Sequence, residues 1–245
     1  MEKTMIYEEI MKPTLEDFGR DGRIEEQAVL RMLENISCYH SDSLGFGAMD
    51  MERTHLAWIL LEWKVELLGK MTYGKPYRLS TWSRGKNSFC TTLRDFEIRD
   101  EEGNLCVAAS SKWTPVDTET KKLLRVTDEL LEIYGTETRA CFEGDDLTRI
   151  KEPKAYDGEV PYRVRRREID LNGHVHNLCY LDYALEALPE EDYHARDFHS
   201  IRISYRKEIA AGEKDIVLKY KKENGAYTVG VYGADEKLRA LIELK

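Results

Sequence analysis

Twice along this chain an amphipathic helical stretch is followed by several strand-like apolar segments joined by short polar turns. In the first half a 3.6-residue period begins at Ile24 and sets Ala28, Val29, Leu33 and Ile36 on one side, fading at 41–45. Strands are expected at 5–11, 56–67, 77–83, 88–99 and 105–116, with a short helix at 127–134 started by Thr127 or Asp128. In the second half a strand at 160–169 leads into a helix from Asn177 to about Leu188, with Leu178, Leu181, Leu185 and Leu188 along its apolar side. Strands at 198–209, 214–221, 226–233 and 237–244 follow, with hairpin turns at Glu223-Asn224-Gly225 and Ala234-Asp235-Glu236. One helix and then several antiparallel strands is an α+β pattern, not a parallel crossover fold. The stretch 136–157 is polar and without a period, which reads as a linker between domains at 1–135 and 158–245.

Composition narrows the function classes. The 245 residues are 34% charged and 42% hydrophobic, enough to bury a core in one large domain or two ordinary ones. There is no run of eighteen apolar residues, so no membrane span is expected, and residues 1–9 lack the apolar centre of a signal peptide. Cys38, Cys90, Cys106, Cys141 and Cys179 are odd in number and irregular in spacing, which suits reduced thiols in a cytoplasmic protein. A net charge of −9 argues against a nucleic-acid binder.

The densest chemistry lies at Arg167-Glu168-Ile169-Asp170-Leu171-Asn172-Gly173-His174-Val175-His176-Asn177. In an extended segment, residues two apart share a side, so Asp170, Asn172 and His174 can face one cleft. Asn177 suits a helix N-cap, and a helix start offers free N–H groups and partial positive charge where an oxyanion develops. The same run also fits an ordinary turn in which Asn172 and Gly173 supply left-handed backbone angles. His176 and Cys179 near His174 raise a metal, but no CxxC or HExxH partner exists, so neither metal nor cofactor is expected. At its helix start, 20–27, the first half carries no Asn-x-His, so one active site per chain is expected, supplied by the second half.

These residues resemble the acyl-acyl carrier protein thioesterases of bacteria and plant plastids, whose motif reads approximately Asp-x-Asn-x-His-Val-Asn-Asn before an aromatic residue and a helix. Asp170, Asn172, His174, Val175, Asn177 and Tyr180 match it, and His176 stands where the first paired asparagine usually is. Ile203-Ser204-Tyr205-Arg206-Lys207-Glu208 resembles the family's Tyr-Arg-Arg-Glu strand. In the plant enzymes a cysteine follows that glutamate; here it is Ile209, so a cysteine nucleophile at that position is excluded and a glutamate-and-water mechanism remains. Further blocks in order, Thr54 to Leu60, Arg94 to Asp100 and Ala109 to Asp117, extend the resemblance over most of the chain.

The resemblance implies a tandem double hot-dog, each half a long helix packed on an antiparallel sheet. It implies hydrolysis of acyl-acyl carrier protein thioesters in fatty acid biosynthesis, with free fatty acid and holo carrier released. Glu208 would be the base or orient water, Asn172 would position water or the thioester, His174 would bond a reacting oxygen or share the proton, and Asp170 would orient the others. A carboxylate in a partly apolar cleft holds its proton more tightly, which suits a base working near neutral pH. The first half would hold the acyl chain, with Leu33, Ile36, Trp58 and Leu60 as candidates that serve equally as plain core. The partner would be the acidic acyl carrier protein, docking on Arg163, Arg165, Arg166, Arg167 and 202–207, a surface that also reads as a solvated strand face. Rival readings on the same fold are an acyl-coenzyme A thioesterase, a dehydratase and a non-catalytic acyl binder. A homodimer is left open.

Overall fold

The computed structural model describes residues 6–144 and 147–245. Met5 of the expected first strand, and Asp145 and Asp146 of the expected linker, lie outside the described residues. The chain divides into two compact units, Met1–Thr148 and Arg149–Lys245.

In the first unit β1 (Tyr7–Met11) is followed by α1 (Glu26–Ser43), the four-residue α2 (Met51–Thr54), β2 (Leu56–Leu67), β3 (Tyr77–Ser88), β4 (Thr91–Arg99), β5 (Leu105–Asp117) and α3 (Asp128–Tyr134). The strands run β1-β3-β4-β5-β2, each antiparallel to its neighbours. The apolar side of α1 packs against β3 and β1, and Leu30, Leu33 and Ile36 lie at 1% exposure or less. Each such side chain contributes about 1.5–3 kcal/mol by leaving water. Strand β3 runs five residues beyond its expected end at 83, because register shifts between Ser83 and Gly85 and between Lys86 and Ser88 break the alternation on which that expectation rested. Thr127 caps α3, its hydroxyl accepting the amide of Leu130 at 3.3 Å.

Beneath the last turn of α1 sits a buried polar knot. The Arg94 guanidinium donates to His40 Nδ1 at 2.9 Å and to Thr81 Oγ1 at 3.2 Å. His40 stacks on Tyr7 at 5.2 Å and meets Tyr134 edge-on at 5.7 Å. Arginine only donates, so Nδ1 must accept and the ring must be neutral. Burial, and then the Arg94 charge, push the His40 pKa down to about 3. An unfolded histidine takes its proton near pH 6.5. Between pH 6.5 and 3 the unfolded chain therefore binds more protons, and this group removes stability as pH falls, by up to about 1.4 kcal/mol per pH unit; above that window it adds no slope. Urea midpoints from pH 7 to 5 should accordingly fall more steeply for the wild type than for His40→Gln, and parallel slopes would count against a neutral buried ring.

Residues after α3 stay on this sheet. Glu137 N donates to the Ser83 carbonyl at 2.9 Å, Trp82 Nε1 to the Arg139 carbonyl at 2.9 Å, and Cys141 N to Asp95 Oδ2 at 2.6 Å. Lys64 Nζ lies 4.0 Å from the centre of the Phe142 ring, and Leu147 is 1% exposed. From Arg149 onward the chain packs with the second unit, where Asp157 N donates to the Tyr220 carbonyl at 2.8 Å.

The second unit contains β6 (Gly158–Arg163), α4 (Cys179–Glu186), α5 (Glu190–Ala195), β7 (Ser200–Tyr205), β8 (Asp215–Glu223), β9 (Ala226–Gly233) and β10 (Leu238–Leu244). Its antiparallel order is β7-β10-β9-β8-β6. Helix α4 packs Leu181, Tyr183 and Ala184, all nearly inaccessible, over β8, β9 and β10. Pro189 separates α4 from α5, since it has no N–H to continue a helix and disfavours helical backbone before it. The β8–β9 turn is formed by Asn224 and Gly225, at φ 52° and 82°, the pair of left-handed residues that a two-residue hairpin requires. Among the described residues no helix is long and apolar enough to cross a membrane.

Candidate active site

After β6 the chain makes a 3-10 turn, Arg166–Glu168, and then reverses on itself. Ile169 and Val175 pair antiparallel, the His174 carbonyl accepts the Asp170 amide at 2.8 Å, and the Asp170 carbonyl accepts the Gly173 amide at 3.1 Å. The motif is thus a tight turn and not the extended segment that would set three side chains on one side. Asp170 is the reason. Its Oδ1 accepts the amides of Asn172 at 2.8 Å and His174 at 3.1 Å, so the carboxylate is committed to its own loop. Gly173, at φ 78°, closes the turn with a left-handed angle that a side chain would strain. Asn172 projects into solvent, and Leu171 beside it is 86% exposed.

His174 reaches its partner through backbone pairing. It bridges Ala210, the Ile209 carbonyl accepts the Val175 amide at 2.8 Å, and the Gly173 carbonyl accepts the Ala211 amide at 2.9 Å. This sets His174 Nε2 3.5 Å from Glu208 Oε1, with the two side chains 34% and 64% exposed. Glu208 was expected on a strand reaching 209, in a partly apolar cleft. Strand β7 instead ends at Tyr205; the Arg206 and Lys207 amides still donate to the Arg239 carbonyl of β10, at 2.7 and 3.1 Å, and 209–211 then pair with the motif turn, which leaves the Glu208 side chain 64% exposed. Ile209 behind it is fully buried.

Helix α4 starts at Cys179, two residues later than expected, and Asn177 is not its cap. The Asn177 carbonyl accepts the Tyr205 hydroxyl at 3.0 Å and the Tyr180 amide at 3.3 Å, while His176 Nδ1 accepts the Leu178 amide at 3.3 Å. Among the described residues no group of three or more His, Cys, Asp or Glu side chains is arranged to hold a metal ion. Leu33, Ile36 and Leu60 pack as core, and Trp58 donates to the Tyr134 hydroxyl at 2.9 Å.

The first unit has a counterpart of this turn that its sequence did not reveal. Phe18 pairs with Ile24, the Arg23 carbonyl accepts the Gly19 amide at 2.8 Å, the Gly19 carbonyl accepts the Gly22 amide at 2.9 Å, and the Asp17 carbonyl accepts the Glu25 amide at 2.8 Å. The second unit repeats each bond at Ile169–Val175, Asp170–His174, Gly173–Asp170 and His176–Glu168. Gly19, Asp21 and Arg23 therefore occupy the places of Asp170, Asn172 and His174. The backbone device is duplicated while the imidazole is not. In the sequence 17–23 reads as turn-rich, with Gly22 (φ 76°) where the motif has Gly173, but nothing there marks the likeness to the motif.

Comparison with known proteins covers both units. The model of the acyl-ACP thioesterase N-terminal domain matches residues 4–134, and that of the acyl-ACP thioesterase C-terminal domain matches residues 151–233. Oleoyl-acyl carrier protein thioesterase 2, chloroplastic, of Arabidopsis thaliana is 25% identical over 233 residues, covering 89% of this chain and 63% of that protein. Oleoyl-acyl carrier protein thioesterase 1, chloroplastic, of the same plant is 24% identical over 209 residues, covering 78% and 57%. The chain thus spans about three fifths of the length of these curated relatives. Among solved structures, the 12:0-ACP thioesterase from Umbellularia californica superposes with a TM-score of 0.86 at 18% identity, covering 99% of this chain and 97% of that one. An acyl-ACP thioesterase from Bacteroides thetaiotaomicron gives 0.81 at 19%, covering 98% and 97%. At such identities the superpositions carry the fold, an α+β tandem double hot-dog. With both units matched in order, the chain belongs to the acyl-ACP thioesterase family.

Proposed function

We propose that this protein hydrolyses the thioester linking an acyl group to acyl carrier protein, releasing free fatty acid and holo carrier in fatty acid biosynthesis. The observation that carries this reading is the juxtaposition of His174 and Glu208, 3.5 Å apart, within a chain that belongs to this family along both units. Hydrolysis needs a base for water and a polar group at the oxygen that gains charge. Glu208 draws a proton from water or orients it, and His174 bonds a reacting oxygen or shares that proton. The His174–Glu208 separation is long for a hydrogen bond, as is common before substrate tightens a site. Asn172, exposed on the same turn, positions water or the thioester. Asp170 acts through the turn that it closes.

In the same reading the first half, 1–135, holds the acyl chain, 136–157 joins it to the second, and 158–245 supplies the chemistry in a cytoplasmic enzyme whose five cysteines remain free thiols. Relatives are named for oleoyl, palmitoyl and dodecanoyl carriers, so a fatty acyl chain is the substrate class here. The acidic carrier docks on the exposed Arg165, Arg166 and Arg167 beside the motif turn. An assay of free fatty acid from acyl carrier substrates of graded length, run beside the matching coenzyme A thioesters, tests the reading. Reversing charge at Arg165 and Arg166 should raise KM for carrier substrate by roughly tenfold or more while leaving a small thioester nearly unaffected, since each rim charge contributes about 1 kcal/mol. Equal effects on both substrates would remove the docking surface from the account.

A further inference from the structure

We propose that Glu168 is a positioning residue for this chemistry: its buried carboxylate ties the root of the motif turn to β6 and α4 while its carbonyl holds the backbone just past the turn, and so it aims His174 at Glu208. The inference rests on the hydrolase reading for its kinetic consequence only. Glu168 is 8% exposed, although it follows three consecutive exposed arginines. Its Oε1 accepts the Tyr162 hydroxyl of β6 at 2.7 Å, and its Oε2 accepts the Arg165 amide at 2.7 Å and the Tyr183 hydroxyl of α4 at 2.8 Å. Its carbonyl accepts the His176 amide at 2.8 Å. The Tyr162 and Tyr183 rings lie 4.7 Å apart, and Tyr183 is 1% exposed. One residue thus joins the strand before the turn, the backbone just after it and the helix beyond.

The first unit supports a division between building the turn and aiming it. Asp17 holds the place of Glu168 there, accepting the Thr14 amide at 2.6 Å, the Thr14 hydroxyl at 2.8 Å and the Arg31 guanidinium of α1. A buried acid at the root is therefore a feature of both turns. In the second unit its side-chain partners are phenols on two separate elements, which fix the turn from β6 and from α4 together. All three groups on the carboxylate are donors. A glutamine has one accepting oxygen for Arg165 and Tyr183 and can hold Tyr162 only by reversing that bond, its NH2 donating to the phenol, so Glu168→Gln replaces three charge-assisted bonds with weaker neutral ones. Small displacements of a catalytic group are costly, up to about 10²-fold for 1 Å.

The test uses the full chain carrying Glu168→Gln, Tyr162→Phe or Tyr183→Phe, with Tyr232→Phe as a second-unit control that breaks its contacts to Glu152 and Tyr156 instead. For each, kcat, KM, the thermal midpoint and the ring signals of 13C-labelled histidine are measured, with His174 assigned from His174→Ala. Expected are a roughly 10- to 100-fold lower kcat for Glu168→Gln with KM within about twofold, displaced His174 signals, smaller losses for the two phenylalanine variants, and neither change in Tyr232→Phe. Unaltered kcat and His174 signals in all three variants would overturn the proposal, as would a loss of activity that only tracks the unfolded fraction. If Glu168→Gln does not fold, the phenylalanine variants decide in the same way. If the wild type releases no fatty acid from any substrate, the hydrolase reading falls, and the histidine signals alone then judge Glu168: displaced supports it, unmoved overturns it.

Discussion

Replacing His174 by alanine should lower kcat on an acyl carrier thioester by roughly 10²- to 10⁴-fold, the range that a positioned proton-transfer group supplies. Glu208→Gln should fall in the same range, because it keeps the shape of the side chain and removes the charge that faces His174 at 3.5 Å. The double variant should be little worse than the poorer single one, since groups acting as a unit are not additive. Both side chains are substantially exposed, so the fold should tolerate the changes, and far-ultraviolet circular dichroism of each variant should match the wild type. Free fatty acid release at saturating substrate is the measurement. Near-native kcat in His174→Ala and Glu208→Gln would end the case for hydrolysis at this turn.

Trp82→Ala in the first unit should cost about 3–5 kcal/mol of stability, the range for deleting a large aromatic side chain from a core. Trp82 is fully buried in β3, its indole N–H holds the Arg139 carbonyl at 2.9 Å, and the Arg139 guanidinium lies 4.8 Å from the ring centre. The change would leave a cavity and detach the segment after α3 from the sheet. Domains are commonly stable by only about 5–15 kcal/mol, so the urea midpoint should drop sharply and proteolysis should reach residues 137–142. Trp82→Phe, which keeps most of the volume and loses the hydrogen bond, should cost nearer to 1 kcal/mol for that bond plus a smaller packing loss. Equal and small losses in both variants would mean that the ring is not a keystone of this unit.

Where local rules apply, the sequence was read well. Strands β2 and β9 lie at the residues expected from their apolar runs, and Asn224-Gly225 turns where a left-handed pair must. The α+β pattern followed from residue order and the family from the resemblance of its motif blocks, which also nominated Asp170, Asn172, His174 and Glu208. The structure departs from local expectation both where distant segments pair and inside the motif turn itself. A strand expected to run to Ile209 ends at Tyr205: the Arg206 and Lys207 amides share the one Arg239 carbonyl, and 209–211 pair with the motif turn in place of a continued ladder. Asn177 is not the cap: α4 begins at Cys179, with Leu178 at the cap position and no side-chain cap bond. The motif is a turn and not an extended segment because Asp170 bonds its own loop.

By itself the sequence determined the order of the main helices and strands, which of their sides are apolar, and that the helix entry of the first half, 20–27, carries no Asn-x-His. Periodicity and turn chemistry act over a few residues, and those properties are local. Only the tertiary structure decided that both halves build the same turn, that Glu208 meets His174, and that Glu168 is buried under two tyrosines. The meeting of Glu208 and His174 requires segments far apart in the chain to share hydrogen bonds, while the twin turns and the Glu168 cluster are closed by shorter-range bonds that no periodicity marks. A hydrophobic pattern tells which surface seeks cover and leaves open which partner provides it.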